Sequence, residues 1–98
     1  PTWPSYFFDA GVSDGDLCAM ADYYDETDIY APPVRDELCR RFSEAPGALL
    51  NALGKWEPET QKRVCAILAE RCGGLPAEEP AGLTPEGETA YETLLRAA

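Results

Sequence analysis

Prolines and glycines cut this chain into short segments, and within those segments the apolar residues recur at helical spacing. Pro32-Pro33, Pro58 and Pro85 stand where the first turn of a helix tolerates a missing backbone N–H, while Gly54 and Gly73-Gly74 stand where helices end. The punctuation predicts a helix from Asp14 to about Tyr24, capped by Ser13 with Asp14 and Asp16 at the positive end of its dipole. A second helix follows Pro32-Pro33 to about Phe42. A third, capped by Ser43, carries Leu49, Leu50 and Leu53 to Gly54. A fourth runs from Pro58 to about Cys72, and a last one starts at Thr84-Pro85 and passes through Tyr91, Leu94 and Leu95.

A chain of 98 residues supports one hydrophobic core. The expected fold is therefore all-α: a small single domain, residues 1–98, of four to five short helices without an internal repeat. Residues 1–12, with Trp3, Tyr6, Phe7 and Phe8, read as an aromatic N-terminal arm packed on the body. Residues 74–83, GLPAEEPAGL, read as a Pro/Gly-rich loop. The expected buried stripes are Leu17, Met20, Ala21 and Tyr24 on the first helix, Val34, Leu38 and Phe42 on the second, and Val64, Cys65, Leu68 and Cys72 on the fourth. Trp56 reads as a plug between the third and fourth.

Charge narrows the functional classes. The chain has 18 acids, 8 bases and no histidine, a formal net charge of −10. Such a surface disfavours DNA, RNA and anionic membranes, all of which call for basic surfaces. The imbalance is polar along the chain: residues 1–31 hold seven acids and no base, whereas residues 32–75 are near neutral. In the middle segment Asp36 to Arg40 and Glu37 to Arg41 form i,i+4 pairs in the favoured orientation. The five acids between Asp14 and Glu26 would occupy about 20 Å of helix, one negative charge per ~4 Å, close to the roughly 3.4 Å spacing of phosphates along one DNA strand.

Four cysteines, Cys18, Cys39, Cys65 and Cys72, show no CxxC pair and lack histidine partners, so no metal centre and no cofactor is expected. Cys65 and Cys72 on one helix would lie about 10 Å apart, beyond the reach of a bridge. The even count leaves a disulfide framework open; the leading expectation is cysteines that act as small core hydrophobes in a reducing cytoplasm, Cys18 the most exposed, beside the acids. No signal peptide or membrane span is evident, and a chain opening on Pro1 reads as what initiator-methionine removal leaves. Six arginines against two lysines suggest a GC-rich bacterial, phage or plasmid gene.

Catalysis finds little to work with. There is no histidine, no nucleophile motif and no phosphate-cradling glycine loop, and neither Asp14-Gly15-Asp16 nor Asp22 to Asp28 follows a calcium-loop pattern. Tyrosines interleaved with the acids give a surface for a basic protein, the carboxylates steering and the rings supplying contact area. Asp14, Asp16, Asp22, Tyr23, Asp25, Glu26, Asp28 and Tyr30 form the expected contact set. The corresponding function is a non-catalytic inhibitor of a basic, nucleic-acid-handling protein, of anti-defence, immunity or antitoxin type, mimicking nucleic-acid charge and contacting neither nucleic acid nor membrane.

The run Leu83-Thr84-Pro85-Glu86-Gly87, followed by Tyr91, Leu94 and Leu95, resembles the stretch that leaves the wing and enters the last helix in many bacterial winged-helix regulators. That likeness implies a transcription-associated regulator with a degenerate winged-helix body. Its wing would fall at Pro76-Ala77-Glu78-Glu79-Pro80, which carries no lysine or arginine to enter a groove, so protein binding is again the implied role. A third expectation is an accessory subunit or assembly factor that inserts the N-terminal arm into a larger complex.

Overall fold

Ser13 takes an extended backbone and its hydroxyl accepts the Asp16 N–H at 3.1 Å, which starts the first helix, α1, Asp14–Tyr23. The computed structural model describes residues 11–73, 75–76 and 78–98. Four further helices follow: α2 Ala31–Glu44, α3 Pro46–Leu53, α4 Pro58–Arg71 and α5 Pro85–Ala97. The described residues contain no strand, and none of their helices is long and apolar enough to cross a membrane. Residues 1–10, which hold the arm's aromatic residues, lie outside the described residues.

α5 packs into the trough between α3 and α4, and α1 lies across α2, α3 and α4. Leu17, Val34, Leu38, Leu49, Leu50, Leu53, Val64, Leu68 and Leu94 are fully enclosed where these helices meet. Two glycines permit the closest approach. A side chain at Gly54 would overlap the Glu86 carbonyl, and one at Gly87 would overlap the Asn51 carboxamide, so α3 and α5 touch nearly backbone to backbone.

Polar side chains complete what the helix ends leave open. Buried Gln61 donates to the Gly54 and Trp56 carbonyls at 3.2 and 2.8 Å. Asn51 donates to the Gly82 carbonyl and accepts the Thr84 N–H, anchoring the end of the loop between α4 and α5. The Thr84 hydroxyl in turn accepts the Gly87 N–H at 3.0 Å and caps α5.

Several expectations change. α2 continues past Phe42 to Glu44, so Ser43 lies inside it and caps nothing; Pro46, whose ring disfavours helical geometry at Ala45, separates α2 from α3. Arg40 pairs with Glu37 and Glu44, and Asp36 reaches across to Arg71 at 2.7 Å, in place of the expected Asp36–Arg40 pair. The Glu37–Arg41 pair forms at 2.7 Å. Trp56 is not a plug: it remains 38% exposed, and its indole N–H donates to the Gly15 carbonyl. The loop carries no strand among its described residues, so the two-stranded wing implied by the winged-helix likeness is not seen there.

The cysteines depart furthest. Cys18 is buried, because α1 meets three other helices and its buried face widens beyond a single stripe. Cys39 and Cys72 are joined in a disulfide, their Cα atoms 5.2 Å apart, tying the middle of α2 to the cap of α4. The spacing of Cys39 from Cys72 in sequence carries no sign of this, since α2 and α4 become neighbours only in the folded chain. Such a bond is uncommon in a reducing cytosol. Cys65 is buried and unbridged, as expected.

Candidate functional site

The acidic residues singled out from the sequence separate into two groups. Asp14 and Asp22, on α1, are committed inward. Arg41 of α2 reaches the Asp14 carboxylate at 3.1 Å and also the Val12 carbonyl. Arg63 of α4 grips both oxygens of Asp22, and Thr60 adds a hydroxyl at 3.3 Å. The hydrogen bond from Arg63 holds the Asp22 carboxyl below its ordinary range. These two acids hold helices together. They also break the expected ladder of phosphate-like charges, as does the end of α1 at Tyr23, which leaves Asp25 and Glu26 off the helix.

The second group occupies the turn from α1 to α2. Asp25 accepts the Thr27 N–H and hydroxyl, each at 2.8 Å, and these bonds, the backbone one foremost, lower its carboxyl pKa. Asp28 accepts the Tyr30 N–H at 2.8 Å, while backbone bonds from Asp28 to the Asp25 carbonyl and from Ala31 to the Asp28 carbonyl close the turn. Local side-chain bonds therefore fix its shape. Glu26 is exposed and makes no side-chain hydrogen bond among the described residues. Asp16 is exposed at the opposite end of α1, near Lys55 and Trp56, and does not join this group.

Tyr23 is 81% exposed, its ring edge-on to Tyr24 at 5.2 Å, and Tyr24 meets Tyr30 at 5.5 Å. Tyr24 and Tyr30 are half-buried; Tyr24 meets the outermost ring and Tyr30 backs Tyr24. Ile29, which the sequence reading passed over, is 78% exposed on the same turn. Its signal was an isolated β-branched residue among acids, with no apolar partner at helical spacing.

Behind the turn lies an open cleft of about 560 Å³, bounded by Tyr23, Tyr24, Asp25 and Glu26 on one side and by Arg63, Ala66 and Ile67 of α4 on the other. Arg35 of α2 also lines it. Neither arginine was expected at the site. Among the described residues, no three cysteine or acidic side chains converge in a way that could hold a metal ion. Burial raises the Cys18 and Cys65 thiols to about 12, so neither is poised as a nucleophile.

No family model matches this chain, and neither the curated proteins nor the solved structures include a significant match.

Proposed function

We propose that the chain is a non-catalytic binding protein whose α1–α2 turn docks on a basic, nucleic-acid-handling protein and blocks it. The supporting observation is Tyr23: a large aromatic residue held 81% exposed, edge-on to Tyr24, which in turn packs on Tyr30, in a turn where Glu26 carries an uncommitted charge. A rigidly supported ring loses little entropy on binding and brings much contact area, which is why tyrosine is frequent among interface hot spots. Asp25, Glu26 and Asp28 steer a positive surface toward that ring. The contact set of this proposal is accordingly Tyr23, Asp25, Glu26, Asp28 and Tyr30 with Ile29 added. Asp14 and Asp22 serve the fold, and Asp16 lies apart. An ordinary interface of about 800 Å² per partner would take roughly one-seventh of the 5697 Å² surface.

The experiment is capture with the immobilised chain, identification of the bound protein, and measurement of its affinity for Tyr23→Ala. A loss of about tenfold or more with unchanged melting supports the turn as the interface. Unchanged affinity rejects it.

A further inference from the structure

Bases are scarce in this chain, 8 against 18 acids, and four of the arginines are held in ion pairs: Arg40, Arg41, Arg63 and Arg71. Lys62 on α4 and Arg96 on α5 are not. Neither pairs with a carboxylate among the described residues, although Glu59 and Glu92 stand three and four positions away on the same helices. The Glu59 charge acts on Arg63 instead. Lys62 and Arg96 share one cleft of about 330 Å³ on the seam between α4 and α5, lined also by Thr93 and Ala97. These lining residues include no acid. Two cations that face one space without a counter-charge repel each other, so an anion entering between them removes that repulsion and gains two attractions.

Arg96 is oriented in advance. Its Nη2 donates to the Thr93 hydroxyl at 3.3 Å, and that hydroxyl donates to the Thr89 carbonyl at 3.0 Å. Thr93 is buried, so the anchor belongs to the packed side of α5. The guanidinium charge also acts on the buried Cys65 thiol, opposing the upward push of burial, which sets it over the seam. A guanidinium fixed through one N–H keeps further donors for a ligand, and Lys62 adds an ammonium from the facing helix. The volume lies at the low end of the ~300–1,000 Å³ of small-molecule sites. A monocarboxylate brings one charge to two cations, whereas a compact dianion answers both. The net charge of −10 acts weakly here, because at physiological salt exposed charges beyond about 8 Å are largely screened. We propose that the α4–α5 cleft binds a compact dianion of the phosphate class, with Arg96 forking onto two of its oxygens and Lys62 balancing the second charge from α4. None of these residues belongs to the docking turn, so the inference stands apart from that reading.

Titration of the full chain with inorganic phosphate, methyl phosphate and acetate, followed by amide chemical shifts at an ionic strength held constant with chloride, tests this. Both phosphates should shift the amides of Lys62, Thr93, Arg96 and Ala97 saturably, with half-saturation at about 1 mM or below, and acetate should bind about tenfold more weakly. Tighter binding of methyl phosphate would assign the site to a phosphate monoester, and tighter binding of inorganic phosphate to the free ion. Lys62 and Arg96 are exposed, so Arg96→Gln and Lys62→Gln should melt as the wild type does, and each should weaken phosphate about tenfold. The comparison of phosphate with acetate on the wild-type chain depends on no variant folding. Shifts that do not saturate, equal affinity for acetate and phosphate, or undiminished binding by folded Arg96→Gln or Lys62→Gln would overturn the site and leave the docking turn standing.

Discussion

Arg63 on α4 holds both carboxylate oxygens of Asp22 on α1, closing a contact between residues 41 positions apart. The carboxylate pKa is depressed, so its contribution to stability is complete above the ordinary aspartate range and is lost as pH falls through the folded value. Glu37 behaves in the same way. Hydrogen bonds from Arg40, with Arg41 adding to them, take its carboxyl from 4.5 to about 2. Asp22→Asn and Glu37→Gln should therefore lower the urea midpoint at pH 7, and the gap from wild type should narrow as pH drops from about 4.5 towards 2. A gap of the same size at both ends of that range would show that the lost stability is not electrostatic.

The cysteines give a counting experiment. The native oxidised chain should show no thiol reactive towards iodoacetamide, because two cysteines are bridged and burial raises Cys18 and Cys65 to about 12. Unfolding without reductant should expose Cys18 and Cys65 alone, and reductant should then release Cys39 and Cys72. Replacing both bridged cysteines with serine should cost about 3–4 kcal/mol by loop-closure entropy for a separation of 33 residues. Labelling of Cys39 in the native chain would contradict the bridge.

α3 and α5 meet through Gly54 and Gly87. Gly54→Ala should cost about 2–3 kcal/mol, the upper part of the overpacking range, since the new methyl group meets the Glu86 backbone, which cannot move aside as a flexible side chain would. Gly73→Ala has open space around it and bears only the strain of a backbone φ of 82°, about 1 kcal/mol. Chemical denaturation of both variants checks the order. Equal losses would mean that α3 and α5 do not approach this closely.

The features legible in the sequence were those decided within a few residues. The hydroxyls of Ser13 and Thr84 cap α1 and α5 because each cap joins residues three apart, and Val34, Leu38 and Phe42 are buried together because helical spacing places them on one face. The all-α class followed from the same local signals. What remained hidden depends on which helices become neighbours. Cys18 is buried because α1 crosses three helices, and the Cys39–Cys72 bridge requires α2 beside α4. The site was half legible for the same reason. Tyr23 and Glu26 stand clear where α1 ends, but Asp14 and Asp22 are drawn to Arg41 and Arg63, distant in sequence, and no local pattern separates a carboxylate facing solvent from one facing another helix.

The most direct measurement is the rate of association between this chain and its captured partner at rising salt, for the wild type and for Tyr23→Ala combined with Glu26→Lys. Neither residue makes a hydrogen bond that fixes the turn, so the double variant should fold and melt as the wild type does. If the turn docks on a basic surface, wild-type association slows as salt rises, and the double variant associates about tenfold more slowly at low salt with a flatter salt dependence. Equal rates and equal salt dependence for the two folded proteins would contradict the account.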